Sequence, residues 1–159
     1  MESSIDFALL APVPEEHLDA GPEVVAASGF VAYGSRKWEL FRQIDDLRGD
    51  QTVPVLIYPS HDHEEGKLDY LIKWTGWYIG SVESDSGEHP DGMKHRPETT
   101  LKYEDDQAGY WAVYWHVNEL AKLSDSEIRA ISSLQSYKSG QYWKAGTPPR
   151  GPEIVARPA

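Results

Sequence analysis

Histidine is the side chain whose spacing here most directly invites chemistry. His61 and His63 flank Asp62 and run into Glu64 and Glu65, directly after an apolar run, and His89, His95 and His116 follow. A His-x-His pair on a strand or turn can present two imidazoles to one ion. His61, His63 and His95 therefore form the ligand set of one reading, a metal-dependent enzyme, against the plainer reading of a polar turn with solvated histidines. Covalent catalysis has less to stand on, because the chain has no cysteine and no G-x-S-x-G elbow. Phosphate-binding glycine loops are missing as well: Gly76 and Gly80 do not open a helix in any P-loop or dinucleotide pattern.

The aromatic residues make a second constellation. Six tryptophans and nine tyrosines exceed what a small core normally needs. Several fall at strand ends or in loops, namely Tyr58, Trp74, Trp77, Tyr78, Tyr142 and Trp143. Tyrosine and tryptophan are buried at least cost when one polar edge is satisfied, so they suit a pocket that stacks on a planar base and still hydrogen-bonds to it. The competing reading is a large aromatic core. With a basic patch beside it, such a pocket is what holding an extruded nucleobase requires.

These side chains need elements to position them. The stretch Leu68 to Val82, LDYLIKWTGWYIGSV, alternates with the period of two of a strand until Gly76. It is long for one straight strand, so a bulge or tight hairpin at Gly76 is expected, gathering Trp74, Trp77 and Tyr78 at a kink. Asp6 to Val13 reads as a strand ended by Pro12 and Pro14, and Glu15 to Ser28 as one or two short helical turns broken by Gly21 and Pro22. Ser35 to Leu47 reads as a helix with Ser35 as its N-cap and Trp38, Phe41, Ile44 and Leu47 on one face. Val53 to Tyr58 is a buried strand whose Pro54 suggests an edge or strand-initial position. Tyr110 to Val117 is a strand that is aromatic on both faces. Ser124 and Glu127 stand at capping-box spacing, which predicts a helix over Leu123 to Leu134, and Glu153 to Ala156 closes the chain as a strand. The segment from Glu83 to Gly109 is a long irregular loop, of a length that in a compact domain usually carries function or is disordered.

Length and composition bound the reading. At 159 residues, residues 1–159 form one domain with one sizeable core. No apolar run approaches the roughly 18 residues that span a bilayer, so no membrane partner is expected. MESSIDFALLAP has no basic start followed by an apolar segment, and a cytoplasmic location is the expectation. The net charge of -11 argues against a protein that coats nucleic acid by counterion release. Any nucleic-acid contact must come from a local patch, and basic residues are grouped at Arg36 and Lys37 and at Lys94 and Arg96.

The order of elements resembles the PUA-like superfamily, whose EVE, YTH, SRA and ASCH branches share this plan. The likeness lies in a helix ending in Arg48-Gly49-Asp50, the strand VPVLIYPS, an aromatic strand ending in GSV, a loop containing HP and RPETT, then YWAVYWHV and a final strand. It is greatest for EVE-type domains and runs from about Phe30 onward. The resemblance implies an α+β fold: a small, partly open mixed β-barrel or sheet with two or three flanking helices. It further implies a non-enzymatic module that reads a modified base, with 5-methylcytosine in DNA as the leading ligand. On that reading Tyr58, Trp74, Trp77, Tyr78 and Trp143 wall the base pocket. Asp62 or Asp69 accepts from the exocyclic amine, and Arg36, Lys37, Lys94 and Arg96 contact phosphates. The expected partner is DNA containing a modified base, with RNA as the alternative and a separate nuclease as a candidate protein partner; no cofactor is expected. Pro90, Gly92 and His95 also resemble the second cupin motif, which accompanies the metal-enzyme alternative. The first motif lacks its leading glycine and glutamate, and the second its asparagine. A third reading is a protein-interaction module whose acidic loops meet a basic partner.

Overall fold

A computed structural model describes residues 3–60, 70–102, 110–149 and 151–158. The chain begins β1 (Phe7–Val13), α1 (Glu15–Ser28), β2 (Val31–Ser35), α2 (Trp38–Arg48), β3 (Val53–Pro59). It continues β4 (Leu71–Ile72), β5 (Trp74–Glu83), β6 (Val113–Lys122), β7 (Arg129–Ala130), β8 (Glu153–Ala156). Six strands form one mixed sheet in the order β2-β6-β5-β3-β1-β8, and β4 and β7 form a two-stranded ribbon. The β1–β3 pair is parallel, and every other pairing in the sheet is antiparallel. The α+β class and the mixed sheet with two helices are thus as expected, but no ladder joins β2 to β8 to close a barrel.

Period-two alternation divides the apolar residues between two cores. Leu9, Val55, Tyr78 and Trp115 face Leu18 of α1 and Phe41 and Ile44 of α2. Leu10, Leu56 and Tyr58 face the other way, toward Ile72, Ile131 and Leu134. Both helices therefore cover one face of the sheet, and the β4–β7 layer and the C-terminal loops cover the second. Among the described residues no helix is long and apolar enough to cross a membrane.

Local signals failed where packing opposed them. Glu15–Ser28 is one continuous helix despite Gly21 and Pro22. A Cβ at Gly21 would lie 2.4 Å from Leu120 Cδ2 and 2.7 Å from the Tyr33 hydroxyl, so the glycine lets α1 settle tightly on the sheet. Burial of Leu18 on the sheet holds the helix together across its proline. α2 starts at Trp38, because Ser35 is still paired in β2, although its hydroxyl accepts from the Lys37 N–H at 3.1 Å. The predicted helix over Leu123 to Leu134 is absent. Ser124 Oγ does donate to Glu127 at 2.6 Å, yet the chain makes only a turn before β7 and a short 3-10 turn, Ile131–Ser133. Pairing of Arg129 and Ala130 with β4 and burial of Ile131 and Leu134 under the sheet outweigh one exposed capping box. Pro54 marks the start of a central strand, not an edge.

The aromatic run breaks at Lys73 rather than Gly76, into β4 and β5. From Trp74 to Tyr78 the pairing with β3 is unbroken, so no kink forms there. Opposite Gly76 the extra residue belongs to β6, which passes from Ala121 to Asn118 while β5 passes from Thr75 to Trp77. Glu119 takes up the bulge with φ 49°. A Cβ on Gly76 would sit 2.6 Å from Val117 Cγ1 and 3.1 Å from the Asn118 carbonyl oxygen. Gly76→Ala should therefore destabilise the fold by about 1–3 kcal/mol through overpacking. An unchanged midpoint in urea would contradict this.

Candidate functional site

The sheet curls so that its two outer strands approach each other without pairing. Lys37, two residues past β2, donates from Nζ to the carbonyl oxygen of Pro152, just before β8, at 3.1 Å. A cleft of about 380 Å³ opens beside this contact. Pro12, Val13 and Pro14 at the carboxyl end of β1, and Ser60 just past the parallel strand β3, form one side. The carboxyl ends of parallel strands are where open sheets commonly hold ligands. Tyr33, Gly34, Ser35, Arg36 and Lys37 form another side, with Tyr110, Trp111 and Trp115 from β6 and its approach. His17, Arg96, Gly151 and Pro152 complete the lining.

Its walls are aromatic, and the charged side chains described along it include three cations. Tyr33 and Trp115 are buried with ring centroids 5.3 Å apart, and the Tyr33 hydroxyl donates to the His17 carbonyl oxygen at 3.0 Å. Burial raises the Tyr33 pKa well above 10, with the Arg96 charge opposing, so this phenol stays neutral. Trp111 rests on Gly34: a Cβ there would lie 2.5 to 2.6 Å from three atoms of the indole. The Arg36 guanidinium sits 4.7 Å from the centroid of the Tyr110 ring, a cation–π contact at the mouth. Arg36, Lys37 and Arg96 all line the cleft, and among the described residues no aspartate or glutamate does. In a chain with 26 acidic residues and a charge of -11, three cationic side chains along one cleft are a local departure from the overall balance. Lys37 contacts Glu153 Oε1 at 3.4 Å, and Arg96 NH1 donates to the Ala32 carbonyl oxygen at 2.7 Å.

The residues expected to wall a base pocket are not brought together. Trp74 and Tyr78 are buried against the helices, and the Tyr78 hydroxyl donates to Asp45 at 2.8 Å. Tyr58 is buried on the opposite face, its hydroxyl donating to the Pro149 carbonyl oxygen at 3.1 Å, and Trp143 packs against that second core. Trp77 is half-buried on the face away from Tyr78, with the Arg157 guanidinium 6.0 Å from its ring. With no kink at Gly76, alternation sends these rings to both sides of the sheet, and they serve as core. Asp62, Asp69, His61 and His63 lie outside the described residues. Of the expected phosphate contacts, Arg36, Lys37 and Arg96 reach the cleft, whereas Lys94 is exposed and outside its lining.

His95 joins a different cluster, behind the β2 edge. His89 Nε2 lies 3.0 Å from His116 Nε2, and the Asp91 N–H donates to His89 Nδ1 at 3.0 Å. His89 therefore carries its proton on Nε2 and donates to His116. Phe30 stacks on both His95 and His116, at 3.9 and 4.2 Å between centroids. Burial, then the charge of His95, lowers the His89 pKa; burial, then His89 and His95, brings that of His116 to about 4. Among the described residues no group of three or more ligating side chains could hold a metal ion. The backbone of this segment caps β2, His95 O accepting from the Ala32 N–H at 2.8 Å, and so delivers Arg96 to the cleft.

The cleft's aromatic residues differ from those singled out by spacing. Trp111 and Trp115 fall in a stretch read from the sequence as a strand aromatic on both faces, of which β6 takes up only the part from Val113, but nothing in the sequence set them apart from core residues, and Tyr33 and Gly34 gave no signal. No family model matches the chain, and no curated protein or solved structure matches it.

Proposed function

We propose that this chain is a PUA-like, non-enzymatic module that binds nucleic acid and reads a modified base, with 5-methylcytosine in DNA as the leading ligand. The extruded base enters the cleft of Tyr33, Trp111 and Trp115, not the array around Trp77. The observation that carries this reading is a cleft with aromatic walls that gathers three cationic side chains, Arg36, Lys37 and Arg96, on a protein whose net charge is -11. Stacking on aromatic faces and charge attraction to a phosphate are the two interactions an extruded nucleotide needs. The cleft volume lies at the lower end of the range typical of small-ligand sites.

A gel shift with methylated and unmodified duplexes of one sequence tests it. Preferential binding of the methylated duplex is expected, and equal or absent binding to both would sink the reading. Trp111→Ala should abolish the methyl preference while leaving weak, salt-dependent binding. Arg36→Ala should weaken both duplexes alike, because a phosphate contact carries no base information.

A further inference from the structure

The parts of the cleft are ordered along its depth. Trp115 and Tyr33 are 1% and 3% exposed, Trp115 being stacked on Phe41, and they close the floor as packed core. Trp111 is half-buried on the wall, while Arg36 is exposed and Lys37 half-buried at the mouth. A flat ring therefore finds its partners inside, and an anion finds its partners outside. The volume of about 380 Å³ exceeds what a single base fills, leaving room for a sugar. Two cations at the mouth match one phosphate, and the chain lacks the glycine-loop pattern that cradles a polyphosphate.

We propose that the cleft seats one complete nucleoside monophosphate, base innermost against Trp111 above the floor closed by Trp115 and Tyr33, and phosphate at the mouth on Arg36 and Lys37. The unit can be free or belong to a strand. The placement deepens the reading given above and rests on the same cleft, but it makes a separate demand: the isolated monophosphate must bind without a duplex.

Calorimetry of the full chain with deoxycytidine, its monophosphate, 5-methyldeoxycytidine monophosphate and inorganic phosphate provides the test. Both monophosphates should bind roughly ten-fold or more tightly than the nucleoside or phosphate alone, the effect of one charge-assisted contact. Arg36→Ala, a change at an exposed side chain, should remove most of that advantage and leave nucleoside binding unchanged. Trp111→Ala should weaken nucleoside and monophosphate together. A nucleoside that binds as tightly as its monophosphate overturns the proposal, as does inorganic phosphate that binds equally well. An Arg36→Ala protein with unaltered affinity, as expected if the phosphate pointed inward to Arg96, also overturns it. Preference for methylated duplex without monophosphate binding refutes this seating and leaves the reader proposal standing. Monophosphate binding with no methyl preference in a duplex does the reverse.

Discussion

Asp45→Ala is expected to lower the thermal midpoint by about 6–12 °C. The Asp45 carboxylate accepts three hydrogen bonds: from the Tyr78 hydroxyl at 2.8 Å, the Ser81 hydroxyl at 2.7 Å and Arg48 Nε at 2.7 Å. Tyr78 is fully buried, so removing Asp45 strands its hydroxyl away from water. An orphaned buried group costs about 1–3 kcal/mol, and the lost charge-assisted contact to Arg48 adds to it, for about 3 kcal/mol in all. For a domain of this size each kcal/mol moves the midpoint by about 2–4 °C. Asp45→Asn keeps an acceptor oxygen and should recover about half of the loss. A midpoint for Asp45→Ala within about 2 °C of the parent protein would refute the argument, since it would place the network below the size of an ordinary surface contact. The consequence reaches the cleft, because Asp45 ties α2 to β5, and the residues leading into α2 are Arg36 and Lys37.

Acidification should remove stability between about pH 6.5 and pH 4. His89 and His116 are held below the ordinary value of 6.5, the latter at about 4, so the folded protein keeps both rings neutral where the unfolded chain takes up protons. The unfolded state then binds more protons, and stability falls as pH falls through that window. Above pH 6.5 the contribution is complete, and below about 4 His116 adds no further slope. Asp91 opposes the shift in both rings, and Arg96 reinforces it at His89. For the half-buried His116 the loss should be roughly 1–3 kcal/mol, a range set by 1.36 kcal/mol per pKa unit and reduced for solvent access. Denaturant midpoints of the parent and of His116→Gln, taken from pH 7 to pH 4, isolate this contribution from the carboxylates. The parent should lose more stability than the variant, and parallel profiles would dispose of the idea. Because the same segment caps β2 and carries Arg96, ligand affinity should weaken over the same window.

What was legible in the sequence followed from short-range rules that packing did not contest. Phe7–Val13, Val53–Pro59 and Glu153–Ala156 are strands as their apolar runs predict; of the helical face read as Trp38, Phe41, Ile44 and Leu47, Phe41 and Ile44 face the core while Trp38 and Leu47 at the helix ends stay exposed. Alternation also placed Trp115 and Tyr114 on opposite faces of β6 correctly. Of the capping box at Ser124 and Glu127 only the bond from the Ser124 N–H to the Glu127 carboxylate forms, at 3.2 Å, and no helix follows, since such a box is worth about 1 kcal/mol and the burial of Ile131 and Leu134 is worth more.

The sequence by itself determined the α+β class, the two faces of the strand through Trp115, and a basic pair at Arg36 and Lys37 on an otherwise acidic chain. Only the tertiary structure decided which aromatics enclose space and which fill it. Trp74, Tyr78 and Tyr58 were the conspicuous rings, and strand pairing that runs straight through Gly76 consigned them to two cores. Tyr33, Trp111, Arg36 and Arg96 became neighbours of one cleft because the sheet curls and its outer strands nearly meet at Lys37 and Pro152. Curvature accumulates over six strands, and no window of sequence shorter than the whole chain encodes it.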